Sequence, residues 1–183
     1  MRVGDKIKTE RANWDFSGNV ADTFIEHVRR SVPYYDDGHD LICYLSDFFC
    51  LNDSTCYELG VSTGELIKKL ALYNEHKPGT DWVGIDKESN MVVKAKEYCK
   101  DVKNIELCCD DILLYDYKKS DFIVSYYCIQ FIPPRNRQDF FNKIYESLNW
   151  GGAFVMFEKV RGSDARFQDM MISLYNDFKK RKG

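Results

Sequence analysis

The chain has 183 residues, a length that suits one domain with a sizeable core and is too short for two. Hydrophobic residues make up 44% and charged residues 30%, which is typical of a soluble globular protein and excludes a disordered chain. No apolar run reaches the roughly 18 residues of a membrane span, and a net charge of −3 excludes a chain-wide basic field for nucleic acid.

The N-terminal residues and the cysteines indicate a cytosolic protein. Residues 1–16 carry scattered charges and no apolar segment, so we expect no signal peptide. The seven cysteines include no C-x-x-C pair, and the three histidines do not lie at metal-ligand spacing from them. Most cysteines lie within apolar runs, where a free thiol acts as a small hydrophobe. We therefore interpret them as structural and expect no metal. The basic tail DFKKRKG is interpreted as a solvated helix end.

Hydrophobic periods divide the chain into two leading helices and then alternating strands and helices. The leading helices are predicted at 20–32 and 41–49, with a Pro- and Gly-containing turn at 33–40 between them. The strands are short apolar runs, predicted at 55–60, 81–86, 104–109, 121–127 and 153–158. The other helices are predicted at 64–74, 88–100, 136–148 and 164–181.

Five short strands separated mostly by helices predict a parallel sheet that is covered on both faces. The predicted fold class is therefore α/β, with a Rossmann-like, doubly wound, mostly parallel sheet. One domain is predicted, with a helical lead-in or cap over 1–52, a core sheet over 53–160 and a C-terminal helix over 161–183. A ligand is expected beyond the carboxyl ends of the strands.

The first predicted strand leads into a glycine-containing turn, CYELGVSTGEL at residues 56–66. Glu58, Gly60, Ser62 and Gly64 occupy alternate positions before the next helix. Glycines let the backbone approach a ligand, and the helix aims its free N–H groups at it. The turn lacks both the G-x-G-x-x-G fingerprint and the G-K-[ST] of a P-loop. Alone, it fits simple packing equally well.

Acidic residues follow the next two strands. Asp86 ends the second strand, where a carboxylate accepts hydrogen bonds from ribose hydroxyls; capping of the next helix is the alternative. Asp110 and Asp111 follow the third strand. One of them could accept from the amine of adenine while Ile112 packs on the ring, although either acid could also form a turn or a cap.

The fourth strand ends in two aromatic residues, Tyr126 and Tyr127. Methyl-transferring proteins of this architecture often place substrate-facing groups there, and a buried aromatic pair is the alternative. Glycine turn, acid, acid and aromatic thus occur in order at successive strand ends. Together they favour an adenosine-containing ligand without a pyrophosphate clamp, and S-adenosylmethionine (SAM) over NAD.

Two stretches carry a resemblance to a known family. Residues 13–37 (NWDFSGNVADTFIEHVRRSVPYYDD) and 129–159 (IQFIPPRNRQDFFNKIYESLNWGGAFVMFEK) are similar to motifs of the carboxy-S-adenosylmethionine synthases of tRNA wobble-uridine modification, within the class I methyltransferase fold. The similarity spans about residues 13 to 183. The first stretch matches through Trp14, Phe16, Val20, Ala21, Phe24, Arg30, Ser31, Val32, Pro33 and Tyr35. The second matches from Gln130 and Phe131 through Lys159.

This resemblance implies an enzyme that takes SAM and prephenate and makes carboxy-SAM and phenylpyruvate. The protein would position the reactants and exclude water rather than act as a covalent catalyst, and no catalytic residue is predicted. The resemblance places Tyr35 against the cofactor, Gly60 to Ser62 at its methionine end, Asp86 with Lys87 by the ribose, and Asp111 with Ile112 by the adenine. The full predicted cofactor-binding set is Tyr35, Glu58, Gly60, Val61, Ser62, Gly64, Asp86, Lys87, Asp111, Ile112 and Tyr126.

The chain departs from the family pattern in two ways. Tyr126 stands where the family commonly has Asn, and the family's carboxylate-holding arginine and last two strands would lie beyond residue 183. The fifth strand is then expected to be an edge that the final helix or a second subunit covers, which suggests a homodimer. Two other functions stay open: methyl transfer to a small molecule or RNA base, and a non-catalytic SAM-binding subunit. No membrane contact or direct nucleic-acid binding is expected.

Overall fold

The computed structural model describes residues 8–10, 13–15 and 20–182. Two short strands, β1 (Lys8–Glu10) and β2 (Asn13–Asp15), pair antiparallel ahead of the first helix. The sequence patterns did not predict this pair within the helical lead-in. The motif residue Phe16, and the side chains of Trp14 and Val20, lie outside what the structure describes.

Two helices follow, α1 (Val20–Ser31) and α2 (Tyr35–Phe49). The turn predicted at 33–40 is wrong over most of its length, because α2 begins at Tyr35. Asp36 and Asp37 lie in its first turn, where acidic side chains favour a helix N-terminus. Gly38 does not break the helix; a Cβ there would meet the hydroxyl of Tyr126, so the glycine lets α2 pack closely on the sheet.

The predicted alternation of strands and helices is confirmed. The elements after α2, in chain order, are β3 (Thr55–Leu59), α3 (Glu65–Tyr73), β4 (Asp81–Asp86), α4 (Ser89–Cys99), β5 (Ile105–Cys109), β6 (Ser120–Tyr126), α5 (Pro134–Ser147), β7 (Leu148–Phe157) and α6 (Ala165–Lys182). β7 starts earlier than predicted. Its register against β6 shifts between Ser120 and Phe122, which leaves the residues around Gly151 bulged.

The five strands β3 to β7 form one parallel sheet in the order β5-β4-β3-β6-β7, so the predicted doubly wound fold is confirmed. The chain runs outward from β3 to β5 and then returns to place β6 on the other side of β3. The strand order therefore reverses between β3 and β6. In such sheets the ligand crevice lies at the carboxyl ends of the strands at this reversal.

The sheet is buried on both faces. Successive residues of a strand point to opposite faces, so each strand contributes apolar side chains to two cores. Trp82 and Phe122 pack on one side with apolar residues of α2, α3 and α4. Tyr57 and Ile123 pack on the other side with Phe140 of α5. None of the helices in the described part of the chain has the length and apolar character that crossing a membrane requires.

Candidate functional site

A cavity of about 350 Å³ opens at the carboxyl ends of β3, β4 and β6, beneath α1 and the first turns of α2. Most of the predicted cofactor-binding residues line it: Tyr35, Glu58, Gly60, Val61, Ser62, Asp86, Lys87, Ile112 and Tyr126. Gly64 and Asp111 do not. Residues from distant parts of the sequence therefore meet where the sheet topology places a ligand crevice.

The turn after β3 is bound to the end of β4 by backbone hydrogen bonds. The N–H groups of Gly60 and Val61 donate to the carbonyl oxygen of Ile85 at 2.8 and 3.0 Å. Gly60 has φ +77°, and a Cβ there would lie 2.5 Å from Sγ of Cys128. Only glycine fits this conformation and this space, so the turn presents bare backbone to the cavity.

Gly64 has a packing position instead. It lies at the start of α3 with φ +86°, and a Cβ there would lie 2.9 Å from Sγ of Cys99 and 3.1 Å from Cβ of Ala95. These atoms belong to α4. Gly64 therefore allows α3 and α4 to approach each other, and a direct contact with the cofactor stays a prediction.

Asp86 lines the cavity and also holds the surrounding backbone. One carboxylate oxygen accepts from the N–H of Ser62 at 2.8 Å, and the other accepts from the N–H of Glu88 at 2.9 Å, just before α4. Burial raises the pKa of Asp86, while these two hydrogen bonds and the nearby Lys87 oppose that rise. Both of the expected roles, ribose binding and capping, are thus compatible with its position.

Asp111 forms a turn rather than a wall of the cavity. Its carboxylate accepts from the N–H of Leu113 at 2.9 Å, and its own N–H donates to Asp110 at 2.7 Å. Ile112 does line the cavity and is buried. A contact between Asp111 and adenine remains a prediction, whereas Ile112 is placed to pack against a ring.

Three aromatic side chains close one end of the cavity. The hydroxyl of Tyr126 donates to the carbonyl oxygen of Tyr35 at 2.8 Å. The ring of His39 lies 4.5 Å from that of Tyr35 and 4.7 Å from that of Tyr126, measured between centroids. Burial lowers the pKa of His39 to about 4, so this imidazole is neutral near pH 7. His39 was not predicted, because it falls in the segment expected to be a turn.

Several buried polar atoms around the cavity have no hydrogen-bond partner among the described residues. Glu58 is 3% exposed, and burial raises the pKa of its carboxyl well above the usual range. Leaving such atoms unpaired is costly, which points to a polar ligand. The unpaired cavity-lining atoms are Oγ of Ser31, Nε2 of His39, Oε2 of Glu58, Oγ1 of Thr63 and Oε2 of Glu65.

These atoms fit the amino-acid end of SAM. An ammonium group could donate to the carboxyl oxygens of Glu58 and Glu65, and the hydroxyls of Ser31 and Thr63 could donate to a carboxylate. Arg29 of α1 binds Glu65 at 3.2 Å and so fixes its position. Thr63 and Glu65 belong to the glycine-containing turn itself, so their place in the sequence could have revealed them.

Comparison with known proteins shows which family this chain belongs to. The methyltransferase domain family matches residues 56–152. A carboxy-S-adenosyl-L-methionine synthase of Staphylococcus epidermidis is 33% identical over 171 residues, which is 93% of this chain and 74% of that protein. One of Nautilia profundicola is 34% identical over 183 residues, which is 98% of this chain and 76% of that protein. The chain belongs to the carboxy-S-adenosyl-L-methionine synthase family.

Solved structures agree with the class I methyltransferase fold of this synthase family. The plantazolicin methyltransferase BpumL in complex with SAH has a TM-score of 0.62 at 15% identity, covering 89% of this chain and 64% of that one. The N-methyltransferase NodS of Bradyrhizobium japonicum, also with SAH, has a TM-score of 0.58 at 21% identity, covering 68% and 61%. As a member of the synthase family, the chain is a transferase that uses SAM.

Proposed function

We propose that this protein transfers the carboxyl group of prephenate to the methyl carbon of SAM, giving carboxy-SAM and phenylpyruvate. The observation that carries this proposal is the identity of 30–34% with carboxy-S-adenosyl-L-methionine synthases over nearly the whole chain. The product would serve the tRNA modification that the resemblance implies, without direct contact between this chain and RNA. The free thiols fit a cytosolic location.

The proposed reaction balances with the release of one water molecule. The carboxyl carbon leaves its ring carbon in prephenate and bonds to the methyl carbon of SAM. The ring becomes aromatic as its hydroxyl departs as hydroxide, and hydroxide takes up the proton that the methyl group loses. Because no group of the protein needs to form a covalent bond, positioning and exclusion of water are the expected tasks of the chain.

The cavity residues suit these tasks. Glu58 and Glu65 would hold the ammonium group of SAM, and Asp86 would accept from its ribose hydroxyls. Cys128 lies beside the glycine turn, and burial raises the pKa of its thiol well above the usual value. A neutral thiol is a poor nucleophile, so Cys128 is expected to shape the cavity rather than react. Phe24 of α1 supplies an apolar wall.

Incubation with SAM and prephenate, followed by mass spectrometry, tests the proposal. The expected products are a nucleoside heavier than SAM by one carbon dioxide unit and an equal amount of phenylpyruvate.

The second candidate function is methyl transfer to a small molecule or RNA base, which Tyr126 favours because it replaces the family's usual Asn at the cavity wall. S-adenosylhomocysteine with no carboxylated product would support that function. SAM binding without turnover would support a non-catalytic subunit.

A further inference from the structure

Of the two lysines that line the cavity in the described part of the chain, only one lies close to a carboxylate. Its acidic wall residues are Glu58, Glu65, Asp86 and Glu88, and its lysines are Lys87 and Lys159. Nζ of Lys87 lies 3.9 Å from Glu88. Among the described residues, none of the ion pairs involves Lys159. Lys159 is thus a cavity-lining cation that is available to an anion.

Hydrogen bonds fix the backbone beside Lys159. Lys159 is the second residue after β7, and the preceding Glu158 accepts from the N–H of Ile129 at 2.6 Å and of Gln130 at 3.2 Å. The N–H of Tyr127 donates to the carbonyl oxygen of Phe157 at 2.8 Å. The end of β7 is therefore tied to the turn after β6, and Gln130 of that turn lines the same cavity.

The side chain of Lys159 also has a defined neighbour. Its Nζ lies 5.7 Å from the centroid of the Tyr175 ring on α6. A ring face attracts a cation without neutralising it, so the ammonium group keeps its charge for a ligand while its range of positions is limited. Lys179 approaches the same ring at 5.5 Å but does not line the cavity.

The walls of the same cavity suit a ligand with an apolar body. Phe24, Val28 and Phe131 line the cavity. His27 lines it too, and burial together with Lys179 lowers the pKa of its imidazole, which makes His27 a neutral hydrogen-bonding group rather than a second cation near pH 7. An anion with an unsaturated ring therefore has apolar contacts in the cavity and, in Lys159, a cation with no carboxylate partner among the described residues.

We infer that Lys159 binds the carboxylate that the carboxyl donor keeps after transfer. This inference rests on the proposed function. Prephenate carries two carboxylates: the one on the ring moves to SAM, and the pyruvyl one remains in phenylpyruvate. The first must reach the methyl carbon inside the cavity, whereas the second can lie at the exposed lysine. Lys159 is thus a specificity-determining residue for an anionic ring substrate.

Calorimetric titration of phenylpyruvate into protein saturated with S-adenosylhomocysteine tests the inference. Lys159→Met should weaken phenylpyruvate binding about fivefold or more, as loss of a charge-assisted contact would, and Lys159→Arg should keep most of the affinity. Lys103→Met is the control, since Lys103 is exposed and does not line the cavity, and it should leave phenylpyruvate binding unchanged. The affinity for S-adenosylhomocysteine should be equal in all four proteins.

Turnover supplies a second readout. In Lys159→Met, KM for prephenate should rise with little change in kcat, a split that a general loss of structure does not produce. Equal phenylpyruvate affinity and equal KM in wild type and Lys159→Met would overturn the inference and leave the synthase proposal intact. Failure of wild-type protein to make carboxy-SAM overturns the synthase proposal itself, whatever Lys159 does.

Discussion

Glu58 is the side chain whose environment is hardest to explain without a ligand. Its carboxyl is buried in the cavity wall, and its Oε2 atom has no partner among the described residues. Burial, with a further contribution from the charge of Asp86, raises its pKa well above the usual value of 4.5. A cationic ligand group beside it would reverse this effect, since opposite charge stabilises the carboxylate.

Replacing Glu58 by Gln should therefore separate stability from binding. Because the folded-state pKa is raised, the native state of the wild type binds the proton more tightly than the unfolded state does. Its contribution to the free energy of unfolding is present below about pH 4.5 and falls as pH rises towards the folded-state pKa. In ligand-free protein, the melting temperature of Glu58→Gln relative to wild type should thus increase with pH above that point.

The same substitution should weaken SAM binding about tenfold or more at neutral pH, because a charge-assisted hydrogen bond is lost. Exposed Glu75 offers the control, and Glu75→Gln should change neither property. Thermal melts across pH and calorimetric titration are the measurements. If the difference in melting temperature between Glu58→Gln and wild type were the same at all pH values, the raised pKa of Glu58 would be contradicted.

The sequence predicted those cavity-lining residues that stand directly at strand ends, such as Glu58 and Asp86. It missed His39 and Lys159. His39 lies in α2, in a segment that was predicted to be a turn because Pro33 and Gly38 are common in turns. Lys159 directly follows the fifth predicted strand, 153–158, so its place at a strand end could have revealed it. Its position in the cavity also requires β7 to pair with β6, and no local pattern in the sequence predicts that pairing.

At the scale of elements, the turn between β3 and α3 determines how closely a ligand approaches the backbone. Gly60 and Gly151 both have positive φ, at +77° and +85°. A Cβ at Gly60 would collide with Cys128, whereas a Cβ at Gly151 meets nothing within 4 Å. The two positions therefore separate the cost of backbone conformation from the cost of lost space.

Gly151→Ala should cost about 1 kcal/mol of stability, the conformational penalty alone, and leave SAM affinity unchanged. Gly60→Ala should cost about 1–3 kcal/mol more, because the turn or Cys128 must move, and should weaken SAM binding at least tenfold. Chemical denaturation and SAM titration of both variants are the measurements. Equal losses at the two positions would mean that the Gly60 turn does not face the ligand.

The elements differ in how well their sequences define them. β4 occupies the predicted residues 81–86, since a short apolar run between polar residues has few alternatives. The predicted start of α2 was wrong, because proline and glycine, here Pro33 and Gly38, usually mark turns. In the fold, Gly38 serves contact with Tyr126, which lies far away in sequence. At Gly38, the packing of α2 against Tyr126 therefore outweighs the preference of glycine for turns.

At the scale of the whole molecule, the parallel sheet and its covering helices followed from the alternation of elements, but the strand order did not. The pairing of β3 with both β4 and β6 creates the crevice, and it depends on packing between distant segments. The two-stranded β1–β2 pair was also missed, because its strands are only three residues long each.

The homodimer expected from the sequence stays a prediction, and β7 is its basis. This ten-residue strand lies at one edge of the sheet, and its Met156 is 51% exposed. Unpaired edge groups and exposed apolar surface favour association with a second copy. Sedimentation equilibrium at micromolar concentration should show a dimer, and Met156→Lys should shift it towards monomer. A wild-type monomer at that concentration would contradict the prediction.

The proposed function requires that the carboxyl group itself moves from prephenate to SAM. The test is to incubate the protein with unlabelled SAM and with prephenate that carries a heavy carbon isotope only in its ring carboxylate. We expect the label in the carboxylated nucleoside, with unlabelled phenylpyruvate formed in equal amount. Unlabelled S-adenosylhomocysteine, or no nucleoside product while SAM remains bound, would contradict the proposed function.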